Sequence, residues 1–375
     1  MRSKIIFIIP HLLGGGAEKS LLTLINNLDR SKFQPLLVYF TETAAPGAFL
    51  AKDVKAVCLH KVNRYSAPRL ILSLAALIKR EKPSLLVPFM PYAGFLTSMA
   101  RRLAGTRTPL IISHRTNLSA ELQHETFPFL KAYLARQLYP QATSIHCLSQ
   151  GIGYDLMNNF KISPEKIKVI YNLFDLKEIT AKAKQKVEHS WFKQDVPILL
   201  ACGRLTRQKN YPLMLRAVRR VMDQSPVRLM ILGEGEDRRY LEEYTAHLGL
   251  PSSVAFLGFQ ANPFAFMARA TALVLSSSYE GFCRVIVEAM ACGLPVISTR
   301  CPYGPEEIIT PGVNGLLVPV DDDAALADAI LSVLKDEAWR QRLAQGGLAR
   351  ARDFAVENLM PQYEKLFAEV IAGSI

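Results

Sequence analysis

Short apolar runs alternate along the chain with longer stretches in which apolar residues recur every three or four positions. The short runs predict buried strands, and the longer stretches predict amphipathic helices. In the first half we predict strands at 4–9, 35–40, 54–59, 84–88, 110–113 and 144–148, and helices at 17–28, 68–82, 94–103 and 127–138. Strands that alternate with helices in this way indicate a doubly wound parallel sheet.

The second half follows the same alternation. We predict strands at 198–202, 228–232, 255–257, 273–275, 296–298 and 316–318, and helices at 212–223, 238–248, 324–335 and 339–352. The sequence therefore predicts an α/β protein with two Rossmann-like, doubly wound parallel-sheet domains. The expected boundaries are an N-terminal domain at 1–178, a charged connector at 179–195, a C-terminal domain at 196–356 and a last helical segment at 357–375.

Composition narrows the class of protein. Half of the 375 residues are hydrophobic, which is enough for two cores. The six cysteines are scattered without a C-x-x-C pair, which argues for free thiols in a reducing cytoplasm and against a disulfide framework or a zinc site. No run of about 18 apolar residues is free of proline and charge, and the apolar start lacks a convincing signal cleavage site. We expect a cytoplasmic protein.

The net positive charge belongs to the first half of the chain. Residues 1–178 hold 23 Lys and Arg against 11 Asp and Glu, whereas residues 179–375 hold 22 of each. Nucleic acid, an anionic membrane surface or an acidic substrate could explain this excess. No groove-reading motif is present, so we expect no nucleic acid. The basic end of an apolar helix favours peripheral docking on the inner face of a membrane, although helix-end cations also suit the macrodipole. The cations concerned are Lys79, Arg80, Lys82, Arg101, Arg102 and Arg107.

The most informative segment is 276–299, which reads SSSYEGFCRVIVEAMACGLPVIST. It predicts a loop after the strand at 273–275, a helix at 284–292 and another strand, a βαβ unit whose loop faces a ligand crevice. Glu280 lies in the loop and Glu288 on the helix, and the backbone at 281–285 offers unpaired N–H groups. The two carboxylates could hold sugar or ribose hydroxyls. The alternative is one helix-start glutamate favoured by the macrodipole and one solvated glutamate.

A second candidate loop, 203–210, reads GRLTRQKN and follows the first strand of the second half. Arg204 and Lys209 are five positions apart, so both cations can converge on one diphosphate. The alternative is that both are ordinary solvated charges, which is how we interpret Arg207.

The first half contains a glycine loop at 14–16, followed by Ala-Glu-Lys-Ser. Lys19 stands where a dinucleotide fingerprint needs its third glycine, so such a site is disfavoured even though Glu42 lies where an acid is wanted. The loop also lacks the P-loop pattern. Its N–H groups could approach a phosphate or a sugar closely, or the loop could be a simple tight turn.

Three further sets of residues follow or precede predicted elements. His114 and Arg115 end the strand at 110–113; a lone histidine is more often structural, but this one is expected to face the ligand crevice. Phe259 follows the strand at 255–257 and could contact a base or simply pack. The acidic triplet 321–323 precedes a helix, where N-capping explains it better than a metal does.

Taken together, these segments resemble the retaining, GT-B-type glycosyltransferases of the glycosyltransferase group 1 family, which is glycosyltransferase family 4-like. The resemblance rests on E-G-F-x-x-x-x-x-E-A-M-A-C-G-x-P-V-I from residue 280, G-R-L-x-x-x-K-N from residue 203 and G-G-A-E from residue 15. Cys283 departs from the family, in which glycine or proline is commoner at that position. The resemblance implies two domains that face each other across a cleft, an N-terminal acceptor domain, a C-terminal domain for a nucleotide sugar, a last helix packed back on the first domain, and no cofactor or bound metal.

The resemblance also implies roles for single residues. Arg204 and Lys209 would neutralise the diphosphate leaving group, Glu288 would bind the ribose, and Glu280 would bind the donor sugar. Phe259 would contact the nucleobase, and His114 would lie near the reacting sugar. The implied catalytic set is Arg204, Lys209, Glu280 and His114. The implied donor contacts are Gly15, Gly16, Gly203, Arg204, Lys209, Phe259, Glu280, Gly281, Phe282, Cys283, Arg284 and Glu288.

The expected function is transfer of an N-acetylhexosamine or hexose, with retention, from a nucleoside-diphosphate sugar to a lipid-linked or surface-polysaccharide acceptor. The donor is expected to be UDP-linked, and the pathway to be polysaccharide or lipopolysaccharide biosynthesis. The string at 300–309, RCPYGPEEII, is similar to relatives that transfer N-acetylhexosamine or galactose-type sugars. Two alternatives stay open: a nucleotide-sugar-binding relative without activity, and an NAD-dependent dehydrogenase, which the missing G-x-G-x-x-G disfavours.

Overall fold

The computed structural model describes residues 2–41, 50–63, 65–123 and 127–374, so Glu42 lies outside the described residues. The chain forms two compact units, Met1–Phe174 with Val356–Ile375, and Asp175–Ala355. The first unit therefore ends at Phe174 instead of residue 178. The segment predicted as a connector belongs to the second unit, because it begins with a helix that packs on two other helices there.

The first unit contains seven strands and six helices before its C-terminal segment, counted over its described residues. The strands are β1 Ser3–Ile9, β2 Phe33–Tyr39, β3 Lys55–Cys58, β4 Leu85–Pro88, β5 Ile111–His114, β6 Ser144–Cys147 and β7 Ile167–Val169. The helices are α1 Gly16–Asn27, α2 Ala67–Glu81, α3 Pro91–Leu103, α4 Leu118–Leu122, α5 Pro128–Leu138 and α6 Gln150–Phe160.

The strands of the first unit pair in parallel, in the orders β3-β2-β1-β4 and β5-β6-β7. Single bridges between Leu86 and Leu110 and between Phe89 and Ser113 connect β4 with the second ladder. The central strand β1 is buried throughout its second half, as a strand covered by helices on both faces must be. The fold class predicted from the alternation of strands and helices is confirmed.

Helix α6 and strand β7 were not predicted, and their contact explains why. Gly151 and Gly153 lie in the first turn of α6 and lower its helix propensity. A Cβ atom at Gly153 would lie 3.1 Å from Cγ2 of Ile167 on β7, so the glycine lets the helix approach the sheet. Ser149 compensates by capping the helix, since its hydroxyl accepts from the N–H of Ile152.

The second unit is described throughout and contains six strands and eight helices. The strands are β8 Ile198–Cys202, β9 Arg228–Leu232, β10 Val254–Gly258, β11 Ala272–Leu275, β12 Val296–Thr299 and β13 Leu316–Val318. The helices are α7 Leu176–Ala183, α8 Tyr211–Met222, α9 Arg238–His247, α10 Phe264–Met267, α11 Arg284–Ala291, α12 Pro305–Ile308, α13 Asp323–Lys335 and α14 Glu337–Arg352.

The sheet of the second unit is parallel, with the order β10-β9-β8-β11-β12-β13. In this Rossmann order, the direction in which strands are added reverses between β8 and β11. Ligands of such sheets bind outside the carboxyl ends of the strands at this switch point. The loops that leave those two strands are 203–210 and 276–283, which carry most of the predicted site.

The C-terminal helix, α15 Val356–Ala372, belongs to the first unit. The ring of Phe367 packs edge-on against Phe7 of β1 and Phe33 of β2, with centroid distances of 6.0 and 6.2 Å. The hydroxyl of Tyr363 donates to the carbonyl of Tyr171 over 3.0 Å. The docking surface of this helix is therefore the sheet of the first unit.

No helix among the described residues is both long enough and apolar enough to cross a bilayer. All six cysteines are free thiols, as their scattered positions predicted.

Two buried histidines lie in the core of the first unit. His146 shares a hydrogen bond with Ser113 over 2.9 Å and another with the carbonyl of Ile170 over 2.8 Å. His114 lies one strand away and is fully buried. Burial lowers the pKa of His114 to about 4 and that of His146 to about 3, so both rings are neutral at neutral pH.

These two histidines predict a pH-dependent loss of stability. Below a pH of about 6.5, which is the pKa of histidine in the unfolded chain, both histidines are protonated in the unfolded state. In the folded state they stay neutral until the pH falls to their lowered pKa values. The free energy of unfolding should therefore fall by about 1.4 kcal/mol per pH unit for each histidine as the pH drops below 6.5. Urea unfolding between pH 6.5 and 5.5 should show a smaller slope in His146→Asn than in the natural chain. The exposed control His60→Asn should keep the full slope, and an unchanged slope in His146→Asn would contradict the assignment.

Two glycines hold the loop after β9 against the loop after β8. A Cβ atom at Gly233 would lie 2.0 Å from the carbonyl oxygen of Gly203, and one at Gly235 would lie 2.2 Å from that of Leu205. The two loops also share a hydrogen bond from Leu205 N to Glu234 O of 2.9 Å. Only glycine permits this close approach of two backbones.

We expect Gly235→Ala to destabilise the second unit by about 3 kcal/mol, since one backbone must move away from the new methyl group. The matched control is Gly249→Ala. Gly249 has a positive φ of 71°, but a Cβ atom added there would meet no other atom within 4 Å, so only a backbone cost of about 1 kcal/mol is expected. Chemical unfolding of both variants checks the comparison. Equal losses would mean that the close approach contributes nothing.

Candidate active site

The loops that follow β8 and β11 are tied together by hydrogen bonds. The hydroxyl of Ser276 donates to the carbonyl of Lys209 over 2.7 Å, and the N–H of Ser278 donates to the carbonyl of Gln208 over 2.9 Å. The side-chain amide of Gln208 returns a bond of 2.9 Å to the carbonyl of Tyr279. The two segments therefore form one structure at the switch point, which places their functional side chains in fixed register.

The central contact of this structure is an ion pair between Lys209 and Glu280. The ammonium of Lys209 donates to Oε1 of Glu280, and the hydroxyl of Ser277 donates to the same oxygen over 2.7 Å. The side chains are only 16% and 8% exposed. Burial is the largest single effect and lowers the pKa of Lys209, but the Glu280 carboxylate, with smaller contributions from Cys283 and Tyr211, raises it, and the net shift is upward. The site therefore holds a permanently charged ammonium.

Arg204 lies on the same loop but in a different environment. Its side chain is exposed and forms no ion pair with any residue that the structure describes. Its carbonyl accepts from the N–H of Thr206 over 3.0 Å, which holds the backbone in a tight turn. The structure thus places both predicted cations on one loop, one fixed by a carboxylate and one at the surface. Gly203 lets the stem of Lys209 come close, since a Cβ atom added at Gly203 would lie 3.3 Å from Cε of Lys209.

Both predicted glutamates are buried, Glu280 at 7% exposure and Glu288 at 8%. Glu288 lies on α11, with Oε1 3.5 Å from a guanidinium nitrogen of Arg284. The alternative in which one glutamate is simply solvated is therefore wrong. Charged side chains are seldom buried without a partner, and each of these has a cation beside it.

The residue that departs from the family pattern occupies an unusual backbone position. Cys283 precedes α11 with φ 61° and ψ 67°, a left-handed conformation that glycine adopts without strain and other residues adopt at a cost of about 1 kcal/mol. This geometry explains why glycine suits the position. Burial, followed by the nearby Glu280 carboxylate, raises the pKa of the Cys283 thiol, so the thiol is protonated and is a poor nucleophile.

The remaining donor candidates of the second unit differ in exposure. The ring of Phe282 is buried and packs edge-on against Phe354 at 5.5 Å, so only its backbone could contact a ligand. Phe259 follows β10 and is 66% exposed, which leaves its ring open for stacking. Gly281 lies between the buried Glu280 and Phe282, so its contribution is also a backbone one.

In the first unit, Gly15 and Gly16 begin helix α1, and Glu18 folds back over them. A Cβ atom at Gly15 would lie 2.7 Å from Oε2 of Glu18, and Oε1 lies 2.9 Å from Nδ1 of His11. Burial would raise the pKa of Glu18, but the hydrogen bond with His11 is among the contacts that lower it overall. A carboxylate therefore occupies the helix start, where a phosphate would otherwise bind, which favours sugar hydroxyls as the ligand of this loop.

His114 is the last residue of β5, one residue beyond the predicted end of the strand, Arg115 directly follows it, and both are buried. Nδ1 of His114 lies 2.9 Å from the carbonyl of Thr116, and the ring packs edge-on against Tyr139. With its lowered pKa, His114 can act only as a neutral hydrogen-bonding group at neutral pH. Its role near the reacting sugar stays a prediction.

Sequence reasoning missed a buried polar group beside Arg115. A guanidinium nitrogen of Arg115 donates to Oδ1 of Asn172 over 2.5 Å, and the hydroxyl of Ser20 donates to the same oxygen over 2.7 Å. These residues are far apart in sequence, so no local pattern brings them together. The His11–Glu18 pair was missed for a related reason, because its two residues lie on either side of a glycine turn.

The acidic triplet has structural partners. Asp322 caps α13 by accepting from the N–H of Ala325, and Asp323 pairs with Arg220 over 2.5 Å. Asp321 accepts from the side-chain amide of Asn210 over 2.8 Å. Among the residues that the structure describes, no group of His, Cys, Asp and Glu side chains has an arrangement that could hold a metal ion.

Comparisons with known proteins point to one family. The family model for Glycosyl transferases group 1 matches residues 183–350, and that for Glycosyltransferase Family 4 matches residues 14–178. The N-acetylgalactosamine-N,N'-diacetylbacillosaminyl-diphospho-undecaprenol 4-alpha-N-acetylgalactosaminyltransferase of Campylobacter jejuni is 33% identical over 267 residues, covering 71% of this chain and 71% of that protein. A second Campylobacter jejuni relative, GalNAc-alpha-(1->4)-GalNAc-alpha-(1->3)-diNAcBac-PP-undecaprenol alpha-1,4-N-acetyl-D-galactosaminyltransferase, is 29% identical over 382 residues, covering 98% and 99%.

Solved structures share the whole fold. Anabaena HepE in complex with UDP-glucose superposes with a TM-score of 0.83 at 23% identity, covering 98% of this chain and 100% of that one. Sucrose-phosphate synthase from Thermosynechococcus elongatus gives 0.85 at 20% identity, covering 99% and 100%. At such identities the likeness establishes the fold alone, which is that of two Rossmann-like GT-B domains.

The matches to both halves leave no support for the dehydrogenase alternative. The cationic loop, the paired glutamates and these matches agree, and the chain belongs to the group 1 glycosyltransferases.

Proposed function

We propose that this glycosyltransferase moves an N-acetylhexosamine or hexose from a UDP-sugar to a lipid-linked saccharide, with retention of configuration. The observation that carries the proposal is the structure at the switch point of the second unit. Two cations, Arg204 and Lys209, and the buried carboxylate Glu280 lie on two hydrogen-bonded loops there. Cations and carboxylates in one fixed array suit a ligand with both phosphates and hydroxyls.

Positive charge at this loop serves the departure of the diphosphate. As the bond from the anomeric carbon to the diphosphate oxygen breaks, negative charge grows on the leaving oxygen, and cations already in place stabilise it. Lys209 meets this need because its ammonium is held and remains protonated. Arg204 offers a guanidinium fork that can bind two phosphate oxygens at once. We propose that these cations take the place of a bound metal ion.

The carboxylates suit the hydroxylated parts of the same donor. Glu280 is held by Lys209 and Ser277, and a carboxylate has further lone pairs that can accept from a sugar hydroxyl. Glu288, eight residues further along the chain, would accept from the ribose hydroxyls. The exposed ring of Phe259 would stack on the uracil. The first unit would bind the acceptor, with His114 as a neutral hydrogen-bonding group.

The loop 300–309 is the part of the site that we expect to select the sugar. The N–H of Glu280 donates to the carbonyl of Pro302 over 3.2 Å. A Cβ atom at Gly304 would lie 2.9 Å from the backbone of Phe282, so the two segments are in direct backbone contact. Relatives named for transfer of N-acetylgalactosamine support an N-acetylhexosamine donor here.

The proposed acceptor and the proposed stereochemistry rest on different lines of support. Both Campylobacter jejuni relatives are named for undecaprenyl-diphosphate-linked saccharides, which supports a lipid-linked acceptor. Retention is proposed from the family resemblance. Incubation with a panel of UDP-sugars and a lipid-linked saccharide extract, followed by UDP release and NMR of the product anomeric proton, tests both. An inverted product would overturn the proposed stereochemistry.

The other candidate is a relative that binds nucleotide sugars without transferring them. The presence of Arg204, Lys209, Glu280 and Glu288 together argues against it, because these are the groups proposed to bind the diphosphate, the sugar and the ribose. Slow hydrolysis of the donor in the absence of any acceptor would identify an active enzyme.

The first prediction for the site concerns the exposed cation. Arg204→Ala should lower turnover by at least about 100-fold, the scale for losing a contact that stabilises transition-state charge. Arg207→Ala is the matched control, because Arg207 is an exposed cation on the same loop without an assigned role. Lys209→Ala should lose as much activity and also lose stability, because Glu280 would be left buried without its partner. UDP release under saturating donor measures the turnover of each variant. Near-normal turnover in Arg204→Ala would contradict the role proposed for Arg204.

The second prediction separates the two glutamates by their ligands. Glu288→Gln should weaken binding of UDP and of UDP-sugar alike, by about 10-fold or more, because it changes contacts to the ribose that both ligands share. Glu280→Gln should weaken only the additional binding that the sugar provides. Calorimetric titration of each variant with UDP and with the matching UDP-sugar distinguishes them. Loss of UDP affinity in Glu280→Gln, in a protein with normal unfolding, would refute the division of roles.

A further inference from the structure

Helix α5 exposes an apolar face that the function described so far does not use. Phe127 is 70% exposed, Phe129 90%, Leu130 55% and Tyr133 59%. We name these four residues the α5 patch. Positions 129, 130 and 133 fall on one side of the helix, and residue 127 directly precedes its first turn. Four large apolar side chains exposed together mark an interaction surface, whereas a single one would need no explanation.

The patch is not an incompletely packed core. Helix α5 buries Ala135 and Leu138 on its opposite side and packs there against α3 and α6. Arg136 fixes the helix further by donating to the carbonyl of Asn159 over 3.1 Å. The inner face of the helix is thus already occupied, and the aromatic face is turned outward.

The charges around the patch indicate the chemistry of its partner. Residues 82–154 contain seven Lys and Arg but only two Asp and Glu. The exposed Arg136 lies on α5 seven positions after Phe129 and three after Tyr133, on the same side of the helix as the patch. An apolar face with a cation beside it, in a segment rich in Lys and Arg, complements a surface that is apolar within and negatively charged at its border, as an anionic bilayer is.

The sequence suggested a different place for membrane contact, the basic end of helix α2. In the structure, the apolar side of α2 faces the core, with Leu70, Leu74, Leu77 and Ile78 buried. Of the large apolar side chains of α2, which the structure describes throughout, only Leu72 is exposed, at 62%, whereas the α5 patch has four. The choice of α2 as a docking helix is therefore not supported by the packing.

We propose that the α5 patch inserts into the interface of an anionic lipid bilayer, with Arg136 against the lipid phosphates. This proposal rests on the proposed function, because a lipid-linked acceptor lies in such a bilayer. Aromatic rings suit the headgroup region, where their faces are apolar and their edges polar. Docking through the first unit brings the unit assigned to the acceptor next to the membrane that contains it.

The test measures partition of the full chain onto vesicles by sedimentation. We expect binding to vesicles of equimolar phosphatidylcholine and phosphatidylglycerol, and much weaker binding to phosphatidylcholine alone or at high salt. The double substitution Phe129→Ser with Leu130→Ser should lower the partition coefficient by about 10-fold or more. The side chains concerned are exposed, so the fold should be retained, as unfolding curves can verify. Arg136→Gln should reduce the preference for anionic vesicles.

The matched control is Leu72→Ser on α2, which removes an exposed leucine from the same unit and should leave partition unchanged. A second readout locates the patch directly. Tyr133→Trp should show fluorescence that brominated acyl chains quench, against the unquenched background of Trp191 and Trp339 in the second unit. If Leu72→Ser lowers binding while the α5 double variant does not, the docking surface is misassigned. If the double variant changes the oligomeric state and leaves vesicle binding intact, the patch is an interface between two copies and the proposal is wrong.

The outcome is separable from the proposed function. UDP release from donor hydrolysis, measured without vesicles, reports on the second unit and should be equal in the natural chain and in the α5 double variant. Failure of that activity in both proteins would count against the proposed function and not against membrane docking. Normal activity with no vesicle binding by the natural chain would overturn the docking proposal alone.

Discussion

The candidate site depends on the buried ion pair between Lys209 and Glu280. A lysine of low exposure is stable only with a carboxylate beside it, because burial disfavours the charged form of both groups. The loop after β8 must therefore remain in register with the loop after β11, and hydrogen bonds from Ser276 and Gln208 hold that register. The pair thus links two distant segments of sequence into one site. It also keeps a positive charge in place before any ligand arrives, which is what electrostatic preorganisation requires.

The same constraint gives each of the two cations a different environment. Lys209 is neutralised by Glu280 in the resting protein, so its charge acts at short range, while exposed Arg204 can reorient toward a ligand. The backbone conformation of the loops also shapes the site. Glycines at 233 and 235 press one loop against another, and Cys283 adopts a left-handed conformation that would be less strained with glycine. The loops of this site therefore combine backbone strain at Cys283 with close backbone contact at the glycines.

Much of the fold could be predicted from periodicity, and the exceptions have physical reasons. The strand at 4–9 and all strands of the second unit were recognisable because they are short apolar runs between turns. Helix α6 was missed because its glycines lower helix propensity while serving contact with β7. The burial of Glu288 could not be predicted either. The residues 285–290 of α11 are all buried, so the helix has no solvent-facing stripe on which a charged residue would be expected. The roles proposed for Arg204 and Lys209 rest on a local sequence pattern, whereas the contacts of Asn172 and of His11 depend on the tertiary fold.

The net charge of each half of the chain does not reveal where the cations proposed to bind the diphosphate lie. The second half of the chain has equal numbers of acids and bases, yet it contains the cations that we assign to the diphosphate. In the proposed function, the donor's negative charge is therefore met at short distance by two side chains, the largely buried Lys209 and the exposed Arg204, and not by the field of the whole unit. The excess charge of the first half is spread over exposed positions, where salt screens it beyond about 10 Å. Such charge can attract a large anionic surface but cannot orient a small molecule. Net charge thus bears on which surfaces the protein approaches, while the chemistry is decided by a few side chains whose positions the fold determines.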